Sequence, residues 1–189
     1  MALTYTPLCE FNTPAPNFRL PDAHGTFITR DMVKKANGLL VMFICNHCPY
    51  VKAIQEKLVS TSERLLKESI GCVAIMSNDY LAYPEDSPEQ MLTIAKSHQY
   101  PFSYLIDQTQ EIAKAYGAVC TPDFFGYNSE LKLQYRGRLD SARSDTSVSN
   151  PIPELLNAMS EIIKTGKGPI TQHPSMGCNI KWKADTRLP

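Results

Sequence analysis

The chain has one tryptophan in 189 residues, no net charge and no long apolar run. Each shortage removes a class of function. Nineteen basic and nineteen acidic side chains cancel, and no segment gathers Lys and Arg into a stripe able to neutralise a row of phosphates. Nucleic acid is not an expected partner. Apolar runs such as LLVMFIC, residues 39–45, fall far short of the roughly 20 residues that span a bilayer. The opening MALTYTPLCEFNTPAPNF has neither a basic start nor an apolar h-region, so the expectation is a cytoplasmic protein without a membrane partner. Internal repeats and low-complexity linkers are missing too. At this length the expectation is one domain over 1–189, with a core that needs no disulfide staples.

What is present is cysteine, at positions 9, 45, 48, 72, 120 and 178. Reducing surroundings disfavour a disulfide framework in a chain this long, so a close pair points to redox or metal chemistry. The stretch FICNHCPYVKA, residues 43–53, holds that pair as Cys45 and Cys48. Three readings begin from the same letters: a redox pair, half of a metal site, or two inert buried thiols. The metal reading lacks ligands. No second CxxC or HxxxH accompanies the pair, and His47 lies too close in sequence for an easy third ligand on the same face. No metal and no cofactor are expected.

Local patterning places the pair. Residues 1–16, with Pro7, Pro14 and Pro16, read as an extended arm. FRLPDAHGTFIT reads as a hairpin turning at His24-Gly25, followed by a helical turn around DMVKKA. GLLVMFI is the unbroken apolar run of a strand buried on both faces. After Pro49, Val51, Ile54, Leu58 and Leu65 recur at helical spacing, predicting an amphipathic helix that ends near Ser69. CVAIMS predicts the next strand, and Ser87, Pro88 and Gln90 read as the N-cap, first position and capping-box partner of the helix after it. SYLID and TQEIAKAYG repeat the alternation. DFFGYN and LKLQYRGRL then read as two strands around a turn at Asn128-Ser129-Glu130, PELLNAMSEIIK as a last helix, and 167–189 as a tail. Alternating βα units imply a parallel core with helices on both faces, and the closing ββα adds antiparallel strands. This is the element order of an α/β thioredoxin-like fold with a central mixed sheet.

A strand feeding a helix sets the first Cys at the helix N-terminus, where unpaired N–H groups and the dipole favour a thiolate. The expectation is that Cys45 is the exposed nucleophile and Cys48, one turn into the helix, the resolving thiol, with His47 adding charge or a hydrogen bond beside them. Pro49 bears on this, because proline disfavours helical backbone at the residue before it. The other half of such a site is a cis-proline loop, and Cys120-Thr121-Pro122 stands where it should, with the Thr121 backbone offered to an incoming peptide or substrate thiol. Cys120 and Cys178 are possible accessory thiols. Cys9 and Cys72 read as structural, His24, His98 and His173 as exposed, Asn78 and Asp79 as cleft or turn residues at the carboxyl edge of a strand. Arg138, Asp140 and Arg143 read as an ion-paired strand end.

APNFRLPDAHG, CNHCPYVKA, SNDYLAYPEDSPE, TPDFFGYN, YRGRLD and PSMGCNIKWK together resemble the peroxiredoxin-like branch of the thioredoxin superfamily, related to the alkyl hydroperoxide reductase and thiol-specific antioxidant proteins. The resemblance covers nearly the whole chain and implies a thioredoxin fold with a CxxC thiol pair and thiol oxidoreductase activity. Two departures matter. Peroxiredoxins place Pro seven and Thr three residues before the peroxidatic Cys; counted from Cys48 these are Val41 and Cys45, counted from Cys45 they are Gly38 and Met42. Thioredoxins place Trp directly before CxxC and a buried acid six residues before the first Cys, where this chain has Ile44 and Leu39. Proton transfer then falls to another group, with His47, Asp123 and water as the choices. The expected activity is thiol-disulfide exchange with a disulfide-containing protein or small thiol substrate and a thioredoxin- or glutathione-type electron donor. The alternatives are a thiol peroxidase and a metal-binding or redox-sensing thiol module.

Overall fold

The computed structural model describes residues 3–7, 9–142 and 148–184. A first strand, β1 (Leu3–Tyr5), precedes a hairpin of β2 (Arg19–Pro21) and β3 (Phe27–Thr29). Asp22 makes its turn, accepting from the amides of His24 and Thr26. α1 (Arg30–Val33) is a single turn capped by the Thr29 hydroxyl. The βα core follows: β4 (Gly38–Phe43), α2 (Pro49–Lys67), β5 (Ile70–Met76), α3 (Pro88–Ser97), β6 (Ser103–Ile106) and α4 (Glu111–Tyr116). Ser87 caps α3 by accepting from the Gln90 amide. Then come β7 (Cys120–Thr121), β8 (Asp123–Tyr127), β9 (Leu133–Gly137), α5 (Glu154–Thr165) and β10 (Met176–Asn179).

Five strands form the central sheet in the order β6-β5-β4-β8-β9. β4, β5 and β6 run parallel, and β8 and β9 antiparallel. All of β4 is buried, and its side chains alternate between two cores. Leu40, Met42 and Ile44 pack with residues of α2, α3 and α5, while Leu39, Val41 and Phe43 pack with α4, the hairpin and Ile180. A strand sandwiched this way tolerates no polar face, which is why GLLVMFI reads as it does. The result is a thioredoxin-like fold, a mixed sheet with helices on both faces.

Three local expectations change. α2 stops at Lys67 rather than near Ser69, because Ser69 takes φ 57 to turn the chain into β5. The arm and the tail are not mere appendages: β1 pairs antiparallel with β10, and β10 with β7, setting Leu3 and Thr121 on either side of Cys178. Strands of two to four residues carry no readable period. Gly177 is needed for this closure, since a Cβ there would lie 1.9 Å from the Thr121 carbonyl oxygen. Arg138 also pairs with Glu154, and Asp140 with Lys57, partners outside the expected strand-end group; Arg143 lies outside the described residues.

Candidate functional site

β4 delivers the CxxC segment at the carboxyl edge of the sheet. The Ile44 amide still donates to the Ile75 carbonyl at 3.2 Å, after which Cys45 leaves the ladder. Pro49 is the first residue of α2, and Cys48 is its N-cap, extended at φ −68 and ψ 119. Proline at the first position enforces this, because its ring clashes with a helical conformation at the residue before it. Cys48 is therefore not one turn into the helix. It stands at the positive N-terminal end of a 19-residue helix, with its sulfur turned to the Thr121 carbonyl and not bonded to the helix amides. Nor is Cys45 exposed: the two residues are 1% and 0% accessible.

The Thr121-Pro122 loop closes on this pair. Its peptide bond is cis, the Thr121 Oγ1 lies 3.3 Å from the Cys45 Sγ, and the Cys48 thiol donates to the Thr121 carbonyl at 3.1 Å. Cys178, cross-strand from Thr121, hydrogen-bonds Cys48 through its side chain and backbone. Cys45, Cys48, Thr121 and Cys178 thus meet around one point. Cys120 turns its sulfur toward the Pro122 carbonyl at 3.9 Å, and burial raises its pKa. Cys72 lies in β5, where burial pushes its thiol up to about 12. Cys9 packs beside Arg136. The Thr121 edge expected to receive a substrate strand is occupied by β10.

The acid beside the loop is Asp86, which the sequence reading passed over. It is fully buried. One carboxylate oxygen accepts from the Asn46 amide at 2.7 Å and the His47 amide at 3.2 Å; the other accepts from His47 Nδ1 and Asn78 Nδ2, both at 2.7 Å. Three of these four donors belong to Asn46 and His47, so the carboxylate fixes both intervening residues of CNHC. Burial pushes the carboxyl up, but His47, Asn78 and the Asn46 amide outweigh it and hold its pKa below the ordinary value. The hydrogen bond that His47 Nδ1 makes to Asp86 in turn raises the His47 pKa above its ordinary value, and the ring stacks on Tyr83 at 5.5 Å. Asn78 spans further, accepting from the Lys181 amide at 2.8 Å and so tying the C-terminal segment to the site. In sequence Asp86 belongs to YPEDSPE, which looks like a surface turn. Its only signal was the position one residue before an N-cap Ser.

Within the pair, Cys48 is the acidic thiol. The Cys45 hydrogen bond is the largest influence, and with the Cys178 and Thr121 donors it overcomes burial and lowers Cys48 to about 5. The Thr121 carbonyl favours the protonated form, but the donors outnumber it. Cys45 moves the opposite way, raised well above 9.0 by its bond to Cys48, by burial and by the Asp86 charge. The two thiols therefore shift in opposite directions and titrate as a pair. Donor atoms of Cys45, His47 and Asp86 lie within 4.8 Å of one another, closer than the sequence spacing implied. Asp86 already holds four donors and His47 Nδ1 is one of them, so a metal would have to displace these bonds. Asp123 sits on the other face of the sheet, paired with Arg136 at 2.9 Å, away from the proton-transfer role considered for it.

Comparison with solved structures agrees with this architecture. An uncharacterized conserved protein from Geobacillus kaustophilus is 40% identical, with a TM-score of 0.92 over 97% of this chain and 98% of that one. A hypothetical protein from Sinorhizobium meliloti 1021 is 41% identical, with a TM-score of 0.91 over 96% and 99%. A thiol:disulfide interchange protein from Bacteroides sp. shares the fold at 14% identity, TM-score 0.62, over 84% and 93%. No curated protein matches. No helix among the described residues is long and apolar enough to cross a membrane. The match that names a family runs over residues 11–137, from the arm through the CNHC segment and the cis-proline loop to the end of β9, and by it the chain belongs to the AhpC/TSA family.

Proposed function

We propose that the protein is a thiol-disulfide oxidoreductase in which Cys48, rather than Cys45, is the attacking thiolate. The observation that carries the reading is the Cys48 sulfur at the N-cap of α2, within reach of donors from Cys45, Cys178 and Thr121. Cys48 thiolate attacks a disulfide RSSR′, forming a mixed disulfide and expelling R′S⁻. Cys45 then attacks the Cys48 sulfur, releasing RS⁻ and closing Cys45–Cys48, so two thiols are oxidised and one disulfide reduced. His47 and Asp86 position the loop through the carboxylate's bonds to the Asn46 and His47 amides and to the His47 ring. The electron donor is expected to be a thioredoxin- or glutathione-type system.

A hydroperoxide is the second oxidant to test, because full burial of both thiols favours a small reactant. The decisive experiment incubates reduced protein with hydroxyethyl disulfide or hydrogen peroxide and maps disulfides by peptide mass spectrometry. Formation of Cys45–Cys48 in the wild type and its loss in Cys48→Ser is the expected result. Cys45→Ser is expected to retain the first exchange step. A Cys48→Ser protein that still forms adducts at Cys45 at the wild-type rate overturns the assignment.

A further inference from the structure

The edge of β7 facing Cys48 already has a strand on it, and that strand belongs to the same chain. Cys178 stands opposite Thr121 and Asn179 opposite Cys120 in an antiparallel pair. This is the register an extended peptide would take if it docked beside the cis-proline loop with its sulfur toward the active thiol. Cys178 supplies that sulfur, hydrogen-bonded to Cys48. The strand is held on both sides. β1 covers its other edge, the Ile180 amide donates to the Val119 carbonyl at 2.9 Å, and the Ser175 hydroxyl donates to the Pro122 carbonyl at 2.6 Å. Asn78 and Gln110 bind the backbone of Lys181 at 2.8 Å each. Gly177 is the residue that lets the strand lie so close.

We propose that β10 is a built-in substrate-like strand that reserves the Cys120–Thr121 docking edge for the chain itself, makes Cys178 an exchange partner of Cys48, and admits small disulfides while refusing extended peptide disulfides. The inference rests on the redox reading of Cys48. In its chemical step a small disulfide RSSR′ is attacked by the Cys48 thiolate, expelling R′S⁻. Cys178 then loses its proton to solvent and attacks the Cys48 sulfur, expelling RS⁻ and closing Cys48–Cys178. Two protein thiols are oxidised and one external disulfide becomes two thiols. Cys45, which also hydrogen-bonds Cys48, competes for the same sulfur.

Two measurements on the full chain test this. The first treats Cys45→Ser with hydroxyethyl disulfide and maps the products. A Cys48–Cys178 bond without a retained adduct is expected. A stable adduct on Cys48 with Cys178 still alkylatable overturns the inference and leaves the redox reading standing; no adduct and no disulfide in the wild type either takes both down. The second compares hydroxyethyl disulfide with a disulfide-linked extended peptide on the unaltered protein, while amide exchange at Cys178 and Asn179 is followed. The peptide should react at least about tenfold more slowly, a difference of about 1.4 kcal/mol in barrier. Equal rates with those two amides still protected would show that the edge is open to peptides and overturn the exclusion.

Discussion

Asp86 and Asp123 are both fully buried, yet their acidities move in opposite directions. Asp86 receives four donors on its two oxygens and stays below the ordinary carboxyl value. Asp123 has the stronger formal partner, Arg136 at 2.9 Å, and some help from the Phe124 amide, but among the described residues its Oδ1 and the Arg136 Nε meet no hydrogen-bond geometry. Burial wins there, and the carboxyl rises to about 6. A buried charge is tolerated according to how many of its lone pairs are met, not simply according to the charge of its neighbour. The chain has put the well-satisfied acid under CNHC and the poorly satisfied one on the far face of the sheet.

The largest expected effect tests that contrast directly. Asp86→Asn replaces an acceptor oxygen by a donor that faces other donors, and should cost about 3–4 kcal/mol in urea unfolding. Asp123→Asn keeps an oxygen for Arg136 and should cost only about 1–2 kcal/mol. The pH dependences should differ in sign. With its folded pKa depressed, Asp86 contributes stability that is present above 3.8 and lost as pH falls through the folded value. With its folded pKa raised, Asp123 favours the fold below 3.8, and that contribution is lost as pH rises through about 6. Asp123→Asn should therefore flatten the profile between those two values, and Asp86→Asn should flatten it in stronger acid. Equal losses, or the same change in profile for both variants, would break the comparison.

How much of this was legible from the sequence follows from the range of the forces involved. The βα alternation showed because β4 and α2 bury faces whose period is written in consecutive residues. The cis-proline loop opposite the pair was reachable because strand order restricts which loops meet at the carboxyl edge. Asp86 was hidden because a buried carboxylate is defined by its donors, and these come from residues 46, 47 and 78. β10 was hidden because four residues containing a glycine have no pattern until β1 and β7 flank them. The position of Cys48 was half visible: Pro49 disfavours helical backbone before it, which favours Cys48 as the cap, but the choice of attacking thiol depends on its bond to Cys45 and also on Cys178, 130 residues away by number.

An intermediate effect sharpens the contrast at the thiols. Cys45 is the foremost cause of the low Cys48 value, so Cys45→Ala should move the pH midpoint of Cys48 alkylation upward from about 5 by at least about one unit, near 1.4 kcal/mol. Wild-type alkylation should already be on its plateau at neutral pH, since the thiolate is formed above the midpoint. If the midpoint stays put in Cys45→Ala, then the helix terminus and Cys178 carry the acidity, and Cys45 only resolves.

The smallest effect asks whether Asp86 is held by its own donors or by the helix that begins beside it. Ser87, the residue after Asp86, accepts from the Gln90 amide at 3.5 Å, a long capping bond that fixes the start of α3 at Pro88. Ser87→Ala removes that acceptor and should cost about 0.5–1 kcal/mol, the low end for an N-cap. If the carboxylate is positioned by Asn46, His47 and Asn78, this loss stays local to α3, and the Cys48 midpoint does not move. A midpoint that rises in Ser87→Ala would mean the cap, and not the four donors, sets the loop, and the distinction between the two buried acids would then lie in helix geometry instead of lone-pair satisfaction.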